Sequence, residues 1–203
     1  GAAMSNNNMP RSLGGVVLAA IPMFAQSQPP AVDVLKADID AVIGKPQSVP
    51  LDIQLTDETG RSVRLGDDLG KKPSVLTLVY YECPMLCTQV LNGLESALRV
   101  INESIGREFD VVTVSFDPRD TPAIAAEKKR AHLEYWSAEK DAAAWHLLTG
   151  DEETISRVTS AAGFTYRWDE PTGQFAHISG ILVVNPDGRL SRYFYGVEYS
   201  PKE

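Results

Sequence analysis

Two apolar β-type runs constrain this chain most, because of what lies between them. Val75 to Tyr81 (VLTLVYY) and Phe109 to Phe116 (FDVVTVSF) are nearly continuous apolar stretches rich in β-branched and aromatic residues. That composition predicts strands covered on both faces. Between them, Thr88 to Ile105 places Val90, Leu91, Leu94, Leu98 and Ile101 at helical spacing, so one face of a helix is apolar. The pattern continues. Thr121-Pro122 opens a helix reaching about Ser137, with Thr as the cap and Pro at the first helical position. Trp145 to Thr149 reads as a third strand, and Asp151 caps a third helix with Glu152 and Glu153 in its first turn. Gly163 to Ala176 reads as an irregular loop. Gly180–Val184 and Leu190–Tyr195 form a closing hairpin across the turn Asn185-Pro-Asp-Gly188. A shorter hairpin precedes everything, Leu51–Leu55 against Ser62–Leu65 around Asp57–Gly60. Strands alternating with helices in this order predict a mixed α/β sheet flanked by helices on both faces.

The 203 residues suit one domain with a tail, and 43% apolar residues are enough for a core. With only two cysteines, disulfides do not hold the chain together. Lys and Arg number 19 against 27 Asp and Glu, a formal charge of −8. Lys71-Lys72 and Lys128-Lys129-Arg130 are short and isolated, so a nucleic-acid role is disfavoured. Gly1-Ala2-Ala3 ahead of Met4 reads as a cloning remnant. Arg11 then precedes the apolar run Leu13–Ala25, which is shorter than the roughly 20 residues a membrane span needs. Basic residue, apolar run and polar QSQPP together read as a signal peptide, although Met23 stands where a small residue is expected. An artificial leader is the alternative. Residues 1–30 are therefore expected to be remnant and signal peptide, dispensable for stability. Residues 31–46 are expected to be a linker with a short helix at Ala31–Val42, and residues 47–203 the domain. Ser200-Pro-Lys-Glu203 reads as the start of a further helix.

The chemistry concentrates at Cys83-Pro84-Met85-Leu86-Cys87, between a buried strand and the following helix. Cys87 lies at or near the helix N-terminus, where N–H groups and the dipole favour a thiolate. The i, i+4 spacing lets both sulfurs approach across a first turn. That permits a disulfide or a shared soft metal. Redox thioredoxins carry two residues between their cysteines. Three suit chelation by two thiolates, which select Cu(I), and such a site needs another donor such as imidazole. His132 lies mid-helix and His146 inside a strand, so both read as structural. His177 ends the long loop and precedes the closing strand, which makes it the candidate ligand. Met85 reads as a loop hydrophobe, with a soft ligand as the alternative. Asp117 and Asp120 read as turn and cap residues, with a supporting role beside the dithiol as the alternative. Tyr80, Tyr81 and Phe116 read as core and rim aromatics.

In order, CPMLC after one strand, SFDPRDTP (Ser115–Pro122) after the next and AHISGILVVNPDGRL (Ala176–Leu190) resemble the Sco/SenC family over roughly residues 47–203. The resemblance implies a thioredoxin-like mixed sheet flanked by helices, with the N-terminal β-hairpin as an extension. In such a sheet the closing strand starts beside the dithiol. It implies a copper ion, Cu(I) or Cu(II), held by Cys83, Cys87 and His177. It also implies a role in maturing the copper centre of cytochrome c oxidase. The partner would be that enzyme's copper-site subunit or another cuproprotein. The expected location is the bacterial periplasm or the outer face of the inner membrane, with membrane association only through the partner or an uncleaved leader, and the expected state is a monomer. Two departures stand out: Met85 occupies a position usually acidic, and Thr88 rather than Pro follows Cys87. Some members are proposed as thiol reductants. A thiol–disulfide oxidoreductase acting on cysteines of a copper-site apoprotein is therefore the second reading, with Cys83 attacking and Cys87 resolving. Redox members of the fold usually place a cis-proline where this chain has His177-Ile-Ser-Gly180, which favours metal. A peroxidase is least favoured, since no Thr or Ser just precedes Cys83.

Overall fold

The computed structural model describes residues 48–84, 86–100, 105–136 and 139–200. The expected first hairpin forms from β1 (Gln54–Thr56) and β2 (Ser62–Arg64), with Leu55 opposite Val63. Asp57 holds its turn, accepting hydrogen bonds from the Thr59 and Arg61 amides, the Thr59 hydroxyl and the Arg61 guanidinium. Burial alone would raise the Asp57 carboxyl, but these donors outweigh it and lower its pKa from 3.8 to about 2. A carboxyl depressed in the folded state contributes stability that is complete above 3.8 and lost as pH falls through about 2. Asp57→Asn is therefore expected to flatten the dependence of stability on pH across that window. Urea unfolding at a series of pH values reads this directly, and a slope equal to wild type would contradict it. A short helix that the alternation concealed, α1 (Leu65–Leu69), follows and buries both leucines.

The central elements come in the expected order. They are β3 (Ser74–Val79), α2 (Leu86–Val100), β4 (Asp110–Ser115), α3 (Pro122–Trp136), a 3-10 turn (Glu139–Ala144), β5 (Trp145–Leu148) and α4 (Glu152–Ala161). Then follow β6 (Tyr166–Asp169), β7 (Gln174–His177), β8 (Gly180–Val184) and β9 (Leu190–Tyr195). Five strands form one sheet in the order β5-β4-β3-β8-β9, with β3, β4 and β5 parallel and the final pair antiparallel. This is the thioredoxin-like, mixed sheet flanked by helices. β3 and β4 are buried along almost their whole length, as their apolar runs require. Their polar side chains consequently bond each other: Thr77 Oγ1 donates to Thr113 Oγ1 at 2.8 Å, and Trp145 Nε1 donates to the same oxygen at 3.0 Å. Asp151 caps α4 by accepting the Thr154 N–H at 2.8 Å, and Thr121 caps α3 by accepting that of Ile124 at 3.3 Å. The Asn185–Gly188 turn closes the last hairpin, with Gly188 at φ +83°.

One expectation is overturned. Gly163–Ala176 is not an irregular loop: β6 and β7 pair antiparallel in a two-stranded sheet of their own. Gly173, at φ +63°, donates its N–H to Asp169 O at 2.9 Å and makes the turn. The alternation Tyr166-Arg-Trp-Asp against Gln174-Phe-Ala-His is real, but four residues on each side of a Pro-Thr-Gly turn are too few to display a period. His177 is thus the last residue of a strand, and Ile178-Ser179 separate it from β8. The helix expected to reach Ile105 does not include that residue, which instead bridges to Phe109. The leader, the Ala31–Val42 helix, Met85 and residues 201–203 lie outside the described residues.

Candidate metal centre

The dithiol sits where β3 ends and α2 begins. The Cys83 N–H turns back to Tyr80 O at 3.3 Å, and Cys87 is the second residue of α2. Both side chains are thiols, Cys83 7% exposed and Cys87 fully buried. The Cys87 N–H donates to Cys83 Sγ at 3.3 Å, so the free donor at the helix end serves the first cysteine. β7 brings the imidazole to the second: Cys87 Sγ and His177 Nε2 are 3.8 Å apart. On the far side of the ring, Nδ1 is 2.8 Å from Ile178 O. A carbonyl oxygen only accepts, so Nδ1 donates to it and Nε2 is the ring nitrogen turned to the sulfur.

The donor set suits a soft metal. Ligand bonds of about 2.0 Å to nitrogen and 2.3 Å to sulfur, about 120° apart, put the two donor atoms roughly 3.7 Å from each other. The observed 3.8 Å is close to that. Among the described residues no three His, Cys, Asp or Glu side chains already form a closed cluster. Cys87 is the shared member, joined to Cys83 through its amide and to His177 through its sulfur.

The expectation that the helix end favours a thiolate at Cys87 does not hold. The hydrogen bond with Cys83, together with burial, pushes the Cys87 thiol well above its ordinary value. The reason is geometric: the terminal N–H points at Cys83 Sγ, and Cys87 is left in an apolar interior. A metal entering at Cys87 displaces a proton.

The aromatics do more than fill the core. His177 stands among Phe116 at 5.1 Å, Phe164 at 5.9 Å and Tyr80 at 6.1 Å between ring centres. Phe116 also packs on Tyr166 at 4.7 Å and Phe175 at 5.5 Å. Burial and a hydrogen bond with Cys83 raise the Tyr80 phenol above its ordinary range, so this residue touches the dithiol itself. A sequence signal for Tyr80 and Phe116 existed. Both directly follow the C-terminal ends of parallel strands, where crevices form.

Asp117 behaves as a turn residue paired with Arg119. Asp120 does not cap α3, a role Thr121 fills. It accepts the Tyr81 N–H at 2.6 Å and the Ser115 hydroxyl, and so ties the dithiol loop to the end of β4. Burial raises its carboxyl above the ordinary range. The Tyr81 hydroxyl reaches Leu148 O at 2.8 Å and Thr113 O at 3.1 Å, a core anchor. His132 packs edge-on to Trp145 at 4.8 Å, and burial lowers its pKa to about 4. His146 Nδ1 faces Asp68 Oδ1 at 3.8 Å. Both are structural, as expected.

Comparison with known proteins agrees with this fold. The family described as SCO1/SenC matches residues 44–203. An SCO2-like protein of Rickettsia felis is 27% identical over 161 residues, covering 75% of this chain and 71% of that protein. The structure of a candidate electron transfer protein of Aquifex aeolicus superposes at a TM-score of 0.65 with 25% identity, over 77% of this chain and 87% of its own. Bradyrhizobium japonicum ScoI, solved with copper bound, gives a TM-score of 0.56 with 25% identity, over 73% of this chain and 90% of its own. The family match runs unbroken through the dithiol, the Asp-Pro-x-x-Asp-Thr turn and the late histidine, and this chain belongs to the SCO1/SenC family.

Proposed function

We propose that this protein is a copper metallochaperone that holds one copper ion through Cys83, Cys87 and His177. The observation that carries the reading is the meeting of Cys87 Sγ with His177 Nε2 at 3.8 Å, on a ring whose Nδ1 bonds Ile178 O. Two thiolates select Cu(I), and an imidazole serves either oxidation state. The hydrogen-bonded Nδ1–H keeps the ring oriented toward the thiols. That copper is bound in ScoI of Bradyrhizobium japonicum supports the same cargo here. The acceptor would be the copper-site subunit of cytochrome c oxidase or another cuproprotein, loaded by ligand exchange. The chain would work as a monomer on the exported side, in the periplasm or at the outer face of the inner membrane. Among the described residues no helix is long and apolar enough to cross a membrane. X-ray absorption of the copper-loaded protein tests the ligand set. Two sulfur scatterers and one imidazole are expected, and a shell without sulfur would contradict it.

One observation favours a second reading, a thiol–disulfide oxidoreductase. The Cys87 N–H on Cys83 Sγ supports a thiolate there, and Cys83 is the more exposed of the two. Cys83 would attack a partner's disulfide, and Cys87 would then displace the mixed disulfide. The chain's dithiol would become a disulfide while the partner's disulfide becomes two thiols.

A further inference from the structure

Arg119 connects the turn after β4 to the hairpin that carries His177. On one side its guanidinium grips Asp117 with two prongs, Nε to Oδ1 at 2.9 Å and Nη2 to Oδ2 at 2.8 Å. The Arg119 N–H adds a third bond to Oδ1 at 2.9 Å, and Asp117 itself is buried. On the other side the guanidinium carbon lies 4.9 Å from the centre of the Trp168 ring and 5.6 Å from that of Phe175. Those two rings face each other across β6 and β7, edge to face at 5.1 Å. Phe175 is two residues from His177, on the same face of β7. The β6–β7 pair shares no ladder with the main sheet, so side chains must set its position. The same turn reaches the dithiol loop through Asp120 and the Tyr81 N–H.

We propose that Arg119 is a positioning residue for the imidazole. Asp117 fixes the planar cation, the cation holds Trp168 and Phe175, and the hairpin is thereby kept where His177 meets Cys87. One turn, Ser115–Asp120, sets both halves of the centre. This inference rests on His177 being a copper ligand. Arg119 is not a core residue: its side chain is 62% exposed.

Two substitutions test it, Arg119→Ala and Arg119→Lys. Lysine keeps the charge but lacks the fork and the flat face, so it should behave like alanine. In the metal-free protein, amide hydrogen exchange should quicken about 10-fold in β6 and β7 and stay unchanged in β3 and β4, because only the hairpin loses its tether. In the Cu(II)-loaded protein, the nitrogen hyperfine coupling of the imidazole should weaken, and copper affinity should fall about 10-fold, the low end for supporting residues. A purely structural role would lower melting temperature without moving either signal. If His177→Ala weakens copper binding while both Arg119 variants keep wild-type coupling and affinity, the clamp is refuted. If His177→Ala itself leaves copper affinity unchanged, the ligand assignment falls and the clamp with it.

Discussion

Oxidising Cys83 and Cys87 to a disulfide is expected to abolish copper binding. The oxidation removes two electrons and two protons from the thiols and consumes both anionic soft donors. One imidazole remains, and one neutral nitrogen cannot hold Cu(I) against a competing chelator. Reduced protein should take up about one copper per chain and oxidised protein less than about a tenth of that, a loss of roughly 100-fold or more in apparent affinity. The measurement is chelator competition on protein reduced with a phosphine or oxidised with diamide, followed by re-reduction to show recovery. An oxidised chain that still holds a full equivalent would place the metal elsewhere.

The second large effect lies in the aromatic cluster. Phe116 is fully buried and touches Tyr80, Phe164, Tyr166, Phe175 and His177. Phe116→Ala should cost about 3–5 kcal/mol, the usual range for a buried Phe. For a domain of this size that is a fall of roughly 10 °C in melting temperature. Phe116→Leu fills more of the space and should cost much less. The alanine variant should also lose copper affinity, because the imidazole loses the ring that stands closest to it among its aromatic neighbours. Thermal unfolding and copper competition on the same samples check both halves. A Phe116→Ala protein within about 1 kcal/mol of wild type would mean that the cluster relaxes around the gap.

The centre of the sheet was legible because β3 and β4 are buried on both faces and so are spelled in nearly continuous apolar runs. The Val75 and Val111 segments pair as those runs imply. The hairpin bearing His177 was not legible. Its strands are four residues each, and their stability comes from rings contributed by the ends of β3 and β4, distant in sequence. The cysteines and the histidine were visible as residue types at a strand–helix junction and before a closing strand. The state of Cys87 was not visible. A helix N-terminus argues for a thiolate, and only the fold shows that the terminal N–H points at Cys83 and that Cys87 is sealed from solvent. Asp120 shows the same limit. Sequence reads an aspartate before Thr-Pro as a cap, whereas the fold turns its carboxylate back to Tyr81.

Copper affinity and disulfide-reductase activity, measured together on reduced wild-type protein and on His177→Ala, test the central claim most directly. Removing the imidazole takes away a copper donor but leaves both thiols able to exchange. Copper affinity is expected to fall about 10-fold or more while reduction of a test disulfide changes little. A His177→Ala protein with full copper affinity and lost reductase activity would contradict it, and would make thiol–disulfide exchange the protein's function.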